Sequence, residues 1–176
     1  DNIQALDDGY SQSKWVAEKL VKHARERGLP VCIYRPSRIT GHSQTGISNL
    51  NDLFTRGIKG GIQLGLLPPI DDIEDNMVPV DYVSRAIVHL SRQTELLGKV
   101  FHLVNPQSVR CGDIINHIYS LGYPLEQVSF AHWRTELSCQ KENALYPLLS
   151  FFDKENSEKT SLIEPQFDCQ NTIEGL

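Results

Sequence analysis

The 176-residue chain reads as an α/β protein built on a parallel or mostly parallel sheet. Short apolar, β-branched runs bounded by proline or glycine alternate with stretches of helical periodicity. The first helical stretch is joined to the strand after it by about two residues, the spacing of layered α/β units. At 40% hydrophobic and 22% charged residues, the chain has enough apolar surface for a real core.

Taken in order, residues 9–27 carry apolar positions at Tyr10, Trp15, Val16, Leu20, Val21 and Ala24, a helical stripe preceded by Asp7 and Asp8 as caps and closed by Gly28 and Pro30. "PVCIYRP" (30–36) predicts a buried strand ending at Arg35-Pro36. "GHSQTGISN" (41–49) is loop, and "LNDLFTRGIKG" (50–60) is a helix that ends in glycines. "LPPIDDIEDN" (67–76) is an acidic, proline-bearing loop, "MVPV" (77–80) a short strand, and Asp81 the N-cap of the helix "YVSRAIVHLSRQ". "KVFHLVN" (99–105) is a strand stopped by Pro106, and "CGDIINHIYSLG" (111–122) a helix closed by Gly122. "EQVSF" suggests a short strand. From Ala131 the chain is helical in two pieces broken before Pro147, then polar over 153–162, and "FDCQNTIEGL" ends in a short docked helix. A change of character near residue 106 sets an expected division into 1–105 and a smaller 106–176 part.

Composition narrows the function classes. A net charge of −5 leaves no broad basic surface for nucleic acid. No apolar run approaches 18 residues, so no membrane span is expected, and nothing points away from the cytoplasm. Cys32, Cys111, Cys139 and Cys169 show no metal-like spacing and read as reduced thiols. The six histidines form no HExxH or cluster, so no metal site is expected. "RGIKGGIQLG" carries four glycines but follows a helix rather than a strand, which favours a helix C-terminus over a phosphate cradle.

The sharpest candidate chemistry is Tyr10 with Lys14 in "GYSQSKW". Positions i and i+4 share a helix face, and a fixed positive charge beside a phenol favours the tyrosinate. Such a tyrosine can exchange a proton with a carbonyl or alcohol oxygen. Taken alone, the pair is equally an ordinary surface pair: with six tyrosines and eight lysines, one YxxxK arises by chance in roughly one such chain in four.

Context adds to it. "YRPSRITG" follows some twenty residues later, its strand stopping at an edge where ligands bind in open α/β sheets, and "NMVPVDYVSRAIVHLS" comes after that. Together these motifs resemble the extended short-chain dehydrogenase/reductases, and more narrowly the thioester reductase domains that terminate nonribosomal peptide and polyketide synthetases. "WRTELSCQKENALYPLL" and "FDCQNT" fit the C-terminal region of that family, so the resemblance spans nearly the whole chain. It implies a partial NAD(P)-binding Rossmann-like fold with a small, mostly helical C-terminal subdomain. It implies Tyr10 as the acid that protonates the reduced carbonyl oxygen, and Lys14 as the residue that holds the nicotinamide ribose hydroxyls and favours the ionised phenol. Pro36, Ser37 and Ile39 would line the nicotinamide pocket, partly through backbone groups. His42 and Met77 are set on the substrate side without a motif to fix them. The implied cofactor is NADPH, with NADH as the other choice, and the implied partner is a phosphopantetheinyl carrier protein bearing an acyl thioester.

The departure from the family lies at the front. No GxGxxG or GxxGxxG follows a strand, and the upstream serine or threonine of the triad has no match, because Ser11 and Ser13 stand too close to Tyr10. The chain is therefore expected to be the C-terminal half of a reductase domain, inactive in isolation and without useful cofactor affinity. Two other readings stay open: a noncatalytic module retaining substrate or carrier-protein contacts, and an extended reductase-type fold acting on a sugar nucleotide.

Overall fold

The computed structural model describes residues 9–152 and 167–176. The expected caps Asp7 and Asp8 and the polar stretch 153–162 lie outside them. In chain order the elements are α1 (Gly9–Glu26), β1 (Ile33–Pro36), β2 (Arg38–Thr40), α2 (Leu53–Leu64), β3 (Leu66–Leu67), β4 (Glu74–Asp75), β5 (Met77–Pro79), α3 (Val80–Ser91), β6 (Val100–Leu103), β7 (Val109–Arg110), α4 (Cys111–Ser120), β8 (Glu126–Gln127), α5 (Phe130–Cys139) and α6 (Gln170–Gly175). Short 3-10 segments lie at Thr94–Leu96 and Tyr146–Phe152. Three strand pairs are parallel (β1 with β6, β2 with β5, β3 with β8), and β4 pairs antiparallel with β7. Among the described residues no helix is long and apolar enough to cross a membrane, and none of the four cysteines forms a disulfide.

Pairing splits neighbours in sequence. β1 takes its partner from residues 100–103, whereas β2, one residue after β1, pairs with β5. The described chain accordingly divides into two discontinuous units. One holds the described residues up to Ser37, with Tyr82–Val104 and Phe167–Leu176; the other holds Arg38–Asp81 and the described residues from Asn105 to 152. The division expected at 105/106 lies beside one of these crossings; Ser37/Arg38 and Asp81/Tyr82 are further ones.

In the first unit, Phe101 and Leu103 of β6 and Leu90 of α3 are fully buried, the alternate residues of β6 facing inward as a half-covered strand requires. The C-terminal helix docks on this strand. Asn171 Nδ2 donates to the Val100 carbonyl at 2.9 Å, Thr172 Oγ1 to the His102 carbonyl at 2.8 Å, and Gln93 Nε2 to the Gly175 carbonyl at 2.8 Å. Gly175 is held to glycine by contact, because a Cβ there would lie 2.5 Å from Leu90 and 3.1 Å from Leu96.

α1 is seated differently from expectation. Its apolar positions do not bury: Val16 is 42% exposed, Leu20 66% and Val21 38%. Its half-covered stripe is Ser11, Trp15, Glu18, Lys22 and Arg25, spaced 4-3-4-3 along one helix face. The partners are polar: Glu18 takes a two-pronged bond from Arg35 of β1, and Arg25 Nη1 donates to the Gly98 carbonyl at 2.8 Å. β1 itself is half-buried rather than buried, and begins at Ile33.

In the second unit, Trp133, Leu137 and Leu145 form a buried cluster flanked by Phe130, Leu148 and Phe152, with Trp133 edge-on to Phe152 at 5.1 Å. Asn76 acts as a side-chain strand partner: its Nδ2 donates to the Asn105 carbonyl at 2.7 Å and its Oδ1 accepts from the Asn105 N–H at 2.9 Å. The break expected before Pro147 falls at residues 140–145, and the second helical piece, a 3-10 segment, begins at Tyr146 with Pro147 in its first turn. Asp81 lies inside the first turn of α3, not at its cap, because the helix starts at Val80.

The glycine-rich stretch is also corrected. Gly57, Gly60 and Gly61 lie within α2, and Gly65, at φ 72°, is the one that closes it. Close packing explains two of them: a Cβ on Gly60 would sit 2.6 Å from Asn143 Oδ1 and 2.7 Å from Leu145, and one on Gly61 2.8 Å from Leu67. Nothing lies within 4 Å of a Cβ on Gly57. Gly60→Ala is therefore expected to destabilise the chain by about 1–3 kcal/mol through overpacking, and Gly57→Ala to stabilise it by about 0.5–1 kcal/mol through helix propensity. Thermal unfolding of both variants checks the opposite signs. Glu18 gives a pH test: the Arg35 guanidinium holds its carboxyl down to about 2 from an ordinary 4.5. A depressed carboxyl stabilises the fold above its unfolded value and loses that contribution as pH falls. The stability gap between the parent chain and Glu18→Gln should be constant above about pH 5 and shrink steadily toward about pH 2, as followed by urea unfolding.

Candidate active site

Tyr10 and Lys14 stand one turn apart near the start of α1, with the Lys14 ammonium 5.4 Å from the centre of the Tyr10 ring. The i, i+4 spacing sets this contact, since four residues advance the helix by a little over one turn. Both side chains are exposed, Tyr10 at 70%. Among the described residues neither is packed into a core, which leaves both open to a ligand. The Ser13 hydroxyl donates back to the Tyr10 carbonyl at 2.7 Å, a local helix bond that directs this serine away from any triad role.

Pro36 and Ser37 terminate β1. The Ser37 N–H donates to the Leu103 carbonyl at 3.1 Å and the Arg38 N–H to the Asn76 carbonyl at 3.1 Å. These two backbone donors belong to the sheet and are not available to a cofactor. What remains at Ser37 is its hydroxyl, buried and without a hydrogen-bond partner in the structure. A buried hydroxyl left unpaired costs about 1–3 kcal/mol, and such a group calls for a partner, a water or a ligand group among the choices. Tyr34, three residues earlier, carries a second such hydroxyl. It stacks on Phe101 at 5.5 Å, and burial, aided by Cys32, pushes its phenol up to about 12.

The bond that joins the Tyr10 helix to the Ser37 strand is Glu18–Arg35. Arg35 Nε donates to Glu18 Oε2 at 2.9 Å, Nη2 bonds Oε1, and Lys22 Nζ closes on Oε1 at 2.6 Å. Arg35 Nη1 lies 3.0 Å from His102 Nε2. Arg35 lies within "YRPSRITG", whereas Glu18, Lys22 and His102 carried no motif in the sequence, although Glu18 and Lys22 continue the every-fourth-residue series of Tyr10 and Lys14.

Ile39, His42 and Met77 belong to the other unit. Ile39 is 42% exposed on β2, in register with Val78, and Arg38 is in register with Met77. Met77 is 8% exposed and packs in the core. His42 Nδ1 accepts from the Gln44 and Thr45 N–H groups at 3.2 and 3.4 Å, folding its own loop. That loop is pinned by Asp81, whose carboxylate accepts from Ser43 N–H and Oγ at 2.9 Å each. These bonds, the Ser43 N–H foremost, hold the Asp81 carboxyl below its ordinary value. Among the described residues no group of three or more His, Cys, Asp or Glu is placed to hold a metal ion.

Comparison with known proteins places this arrangement. A family model described as Male sterility protein, an NAD-binding family, matches residues 1–87. L-2-aminoadipate reductase of Saccharomyces cerevisiae is 36% identical over 185 aligned residues, covering 100% of this chain and 13% of that protein. The non-canonical nonribosomal peptide synthetase hkm10 of Aspergillus hancockii is 34% identical over 99% of this chain and 18% of its own length. The chain thus spans less than a fifth of these relatives. Among solved structures, the terminal R domain from the myxalamid PKS-NRPS pathway superposes with a TM-score of 0.82 at 40% identity, covering 100% of this chain and 45% of that one. A thiolation-reductase di-domain from an archaeal nonribosomal peptide synthetase superposes at 0.73 with 25% identity, over 96% of this chain and 36% of that one. The fold is the Rossmann-like fold of the extended short-chain dehydrogenase/reductases, and the chain belongs to the family of terminal reductase domains of nonribosomal peptide and polyketide synthetases.

Proposed function

We propose that the full-length protein is an NAD(P)H-dependent reductase that releases an acyl or peptidyl thioester from a phosphopantetheinyl carrier protein as an aldehyde, or as an alcohol after a second round. The observation that carries this reading is the exposed Tyr10–Lys14 pair on α1, bonded through Glu18 to the strand that ends in Pro36 and the unpaired Ser37 hydroxyl. The relatives named as synthetase reductase domains support it, and the thiolation-reductase di-domain among them supports a carrier-protein partner.

The residues present fit a nicotinamide cofactor. Lys14 offers an exposed ammonium with three donors for vicinal ribose hydroxyls, and Ser37 Oγ offers a donor and acceptor with no competing protein bond. Pro36, at the end of β1, contributes apolar surface beside it. The cofactor, NADPH for preference, supplies the hydride. Tyr10 donates its phenolic proton to the carbonyl oxygen as negative charge grows there. One hydride and one proton convert the thioester to aldehyde and free carrier thiol, and Tyr10 recovers its proton from solvent, to which it is 70% exposed.

In the full-length protein supplied with carrier-bound thioester and NADPH, Tyr10→Phe should lower turnover by about 10²–10⁴-fold while circular dichroism stays unchanged. Absorbance of the reduced cofactor and trapping of the aldehyde measure it; undiminished turnover would remove Tyr10 from the mechanism. Ser37→Ala should weaken cofactor affinity by roughly 3–10-fold, the worth of one hydrogen bond, with unfolding stability unchanged or raised because an unpaired buried hydroxyl is deleted. Cofactor fluorescence titration paired with a melting curve separates the two effects.

A further inference from the structure

Tyr10, Lys14, Glu18 and Lys22 follow one another at four-residue intervals on α1. The first two face outward with no packing partner, and the third is the helix's main anchor. Glu18 receives both prongs of the Arg35 fork, and Arg35 is the residue before Pro36 and Ser37. The third arm of the guanidinium reaches His102 Nε2 at 3.0 Å. Arg35 and His102 are register partners of the parallel β1–β6 pair, so both side chains leave the same face of the sheet. His102 Nδ1 then lies 2.8 Å from the Asp168 carbonyl, and its ring meets Phe167 at 5.8 Å.

Donor and acceptor logic fixes the proton on this histidine. A guanidinium only donates and a carbonyl only accepts. His102 Nε2 must therefore be the bare acceptor and Nδ1–H the donor, in a neutral ring. The arrangement has direction: a carboxylate on the helix, a cation on the strand, a neutral imidazole beyond it, and the backbone of the C-terminal segment at the end. Each of the three Arg35 nitrogens that carry protons is engaged.

We propose that Glu18, Arg35 and His102 form a positioning relay that fixes the rotation of α1 against the end of β1, and so sets where Tyr10 and Lys14 stand relative to the Pro36–Ser37 turn, with residues 167–176 as its outer clamp. The proposal rests on the reductase reading, since it assigns these residues to placing that reading's acid and lysine. The relay assigns the three a positioning role, through Tyr10 and Lys14. Glu18 is one turn from Lys14 and two from Tyr10, so a small rotation at Glu18 is carried along a rigid helix to both. Misplacement of a reacting group by about 1 Å can cost about 10²-fold in rate, far beyond what the half-exposed ion pair contributes to folding.

The test uses the full-length protein with carrier-bound thioester and NADPH. Arg35→Lys keeps the charge but loses the fork, and should lower kcat by about tenfold or more, with KM for the thioester held within about twofold. His102→Leu should lower kcat in the same sense, whereas His102→Gln, whose amide both accepts and donates, should retain most of it. Amide hydrogen exchange, read without turnover, should rise in residues 167–176 and in α1 for Arg35→Lys and His102→Leu, and stay near the parent level for His102→Gln. Unchanged kcat and exchange, a rise in KM with kcat preserved, or equal losses for His102→Gln and His102→Leu would each overturn the relay. Should Arg35→Lys not fold, the paired histidine variants decide the matter. Tyr10→Phe separates the two levels of the argument: if it leaves turnover intact, the reductase assignment fails. If it abolishes turnover while the Arg35 and His102 variants do not, the relay alone fails.

Discussion

The first unit is organised around one guanidinium. Arg35 stands at the penultimate position of β1 and spends its planar fork on Glu18 and its remaining nitrogen on His102. A lysine could place a charge here but not three directed bonds at fixed angles. The pair is neither fully buried nor free in water, with side-chain exposures of 38% for Arg35 and 26% for Glu18. In this regime the attraction exceeds that of a surface pair without the full desolvation cost of a core pair. Truncating one partner would leave the other half-covered and charged, so removing either alone costs more than removing both.

The seating of α1 follows from this junction. An 18-residue helix with no buried residue gains little from apolar burial, although tertiary packing supplies most of the stability of helices in proteins. Its attachments are directed bonds at Glu18 and Arg25, one near the middle and one near the C-terminal end. Directed bonds fix rotation about the helix axis more tightly than a greasy stripe does, because a stripe tolerates sliding and rolling. The same arrangement leaves Val16, Leu20 and Val21 exposed and keeps Tyr10 and Lys14 clear of packing.

The sequence made α1 and α4 legible, because each joins an apolar pattern to a glycine stop, and α3 and the C-terminal helix are legible without one. Gly28, Gly65 and Gly122 all adopt positive φ where a stop was expected or required. The YxxxK pair was legible from spacing alone. Other features depended on long-range pairing that periodicity does not encode. β2 is three residues long and exists because β5 lies beside it, so "SRIT" carries no strand signal of its own. Gly60 and Gly61 read as the end of a helix because their reason for being glycine is Leu67, Leu145 and Asn143, distant in the chain or across a turn. The seat of α1 was misread for the same reason. An apolar stripe is visible from sequence, whereas the partner of Glu18 is 17 residues away on a strand.

Two tyrosines border the candidate site, and physical chemistry separates them. Tyr34 lies on β1 next to Arg35, with its hydroxyl buried and unpaired and its phenol held near 12 by burial. A phenol so disfavoured as an anion cannot lose its proton to a substrate at neutral pH without a large penalty. Its ring, stacked on Phe101, acts as packing at the strand's inner face. Tyr10 has the opposite environment: solvent on most of its surface and an ammonium 5.4 Å from its ring. An exposed tyrosine is a poor use of a large side chain if packing is its task, and a good one if it must meet a substrate and regain a proton from water. The unpaired hydroxyls of Tyr34 and Ser37 lie at the end of β1 and just past it, and the Tyr10–Lys14 pair is exposed near the start of α1. Arg35 lies between those two hydroxyls in sequence and is bonded to the helix that carries the pair.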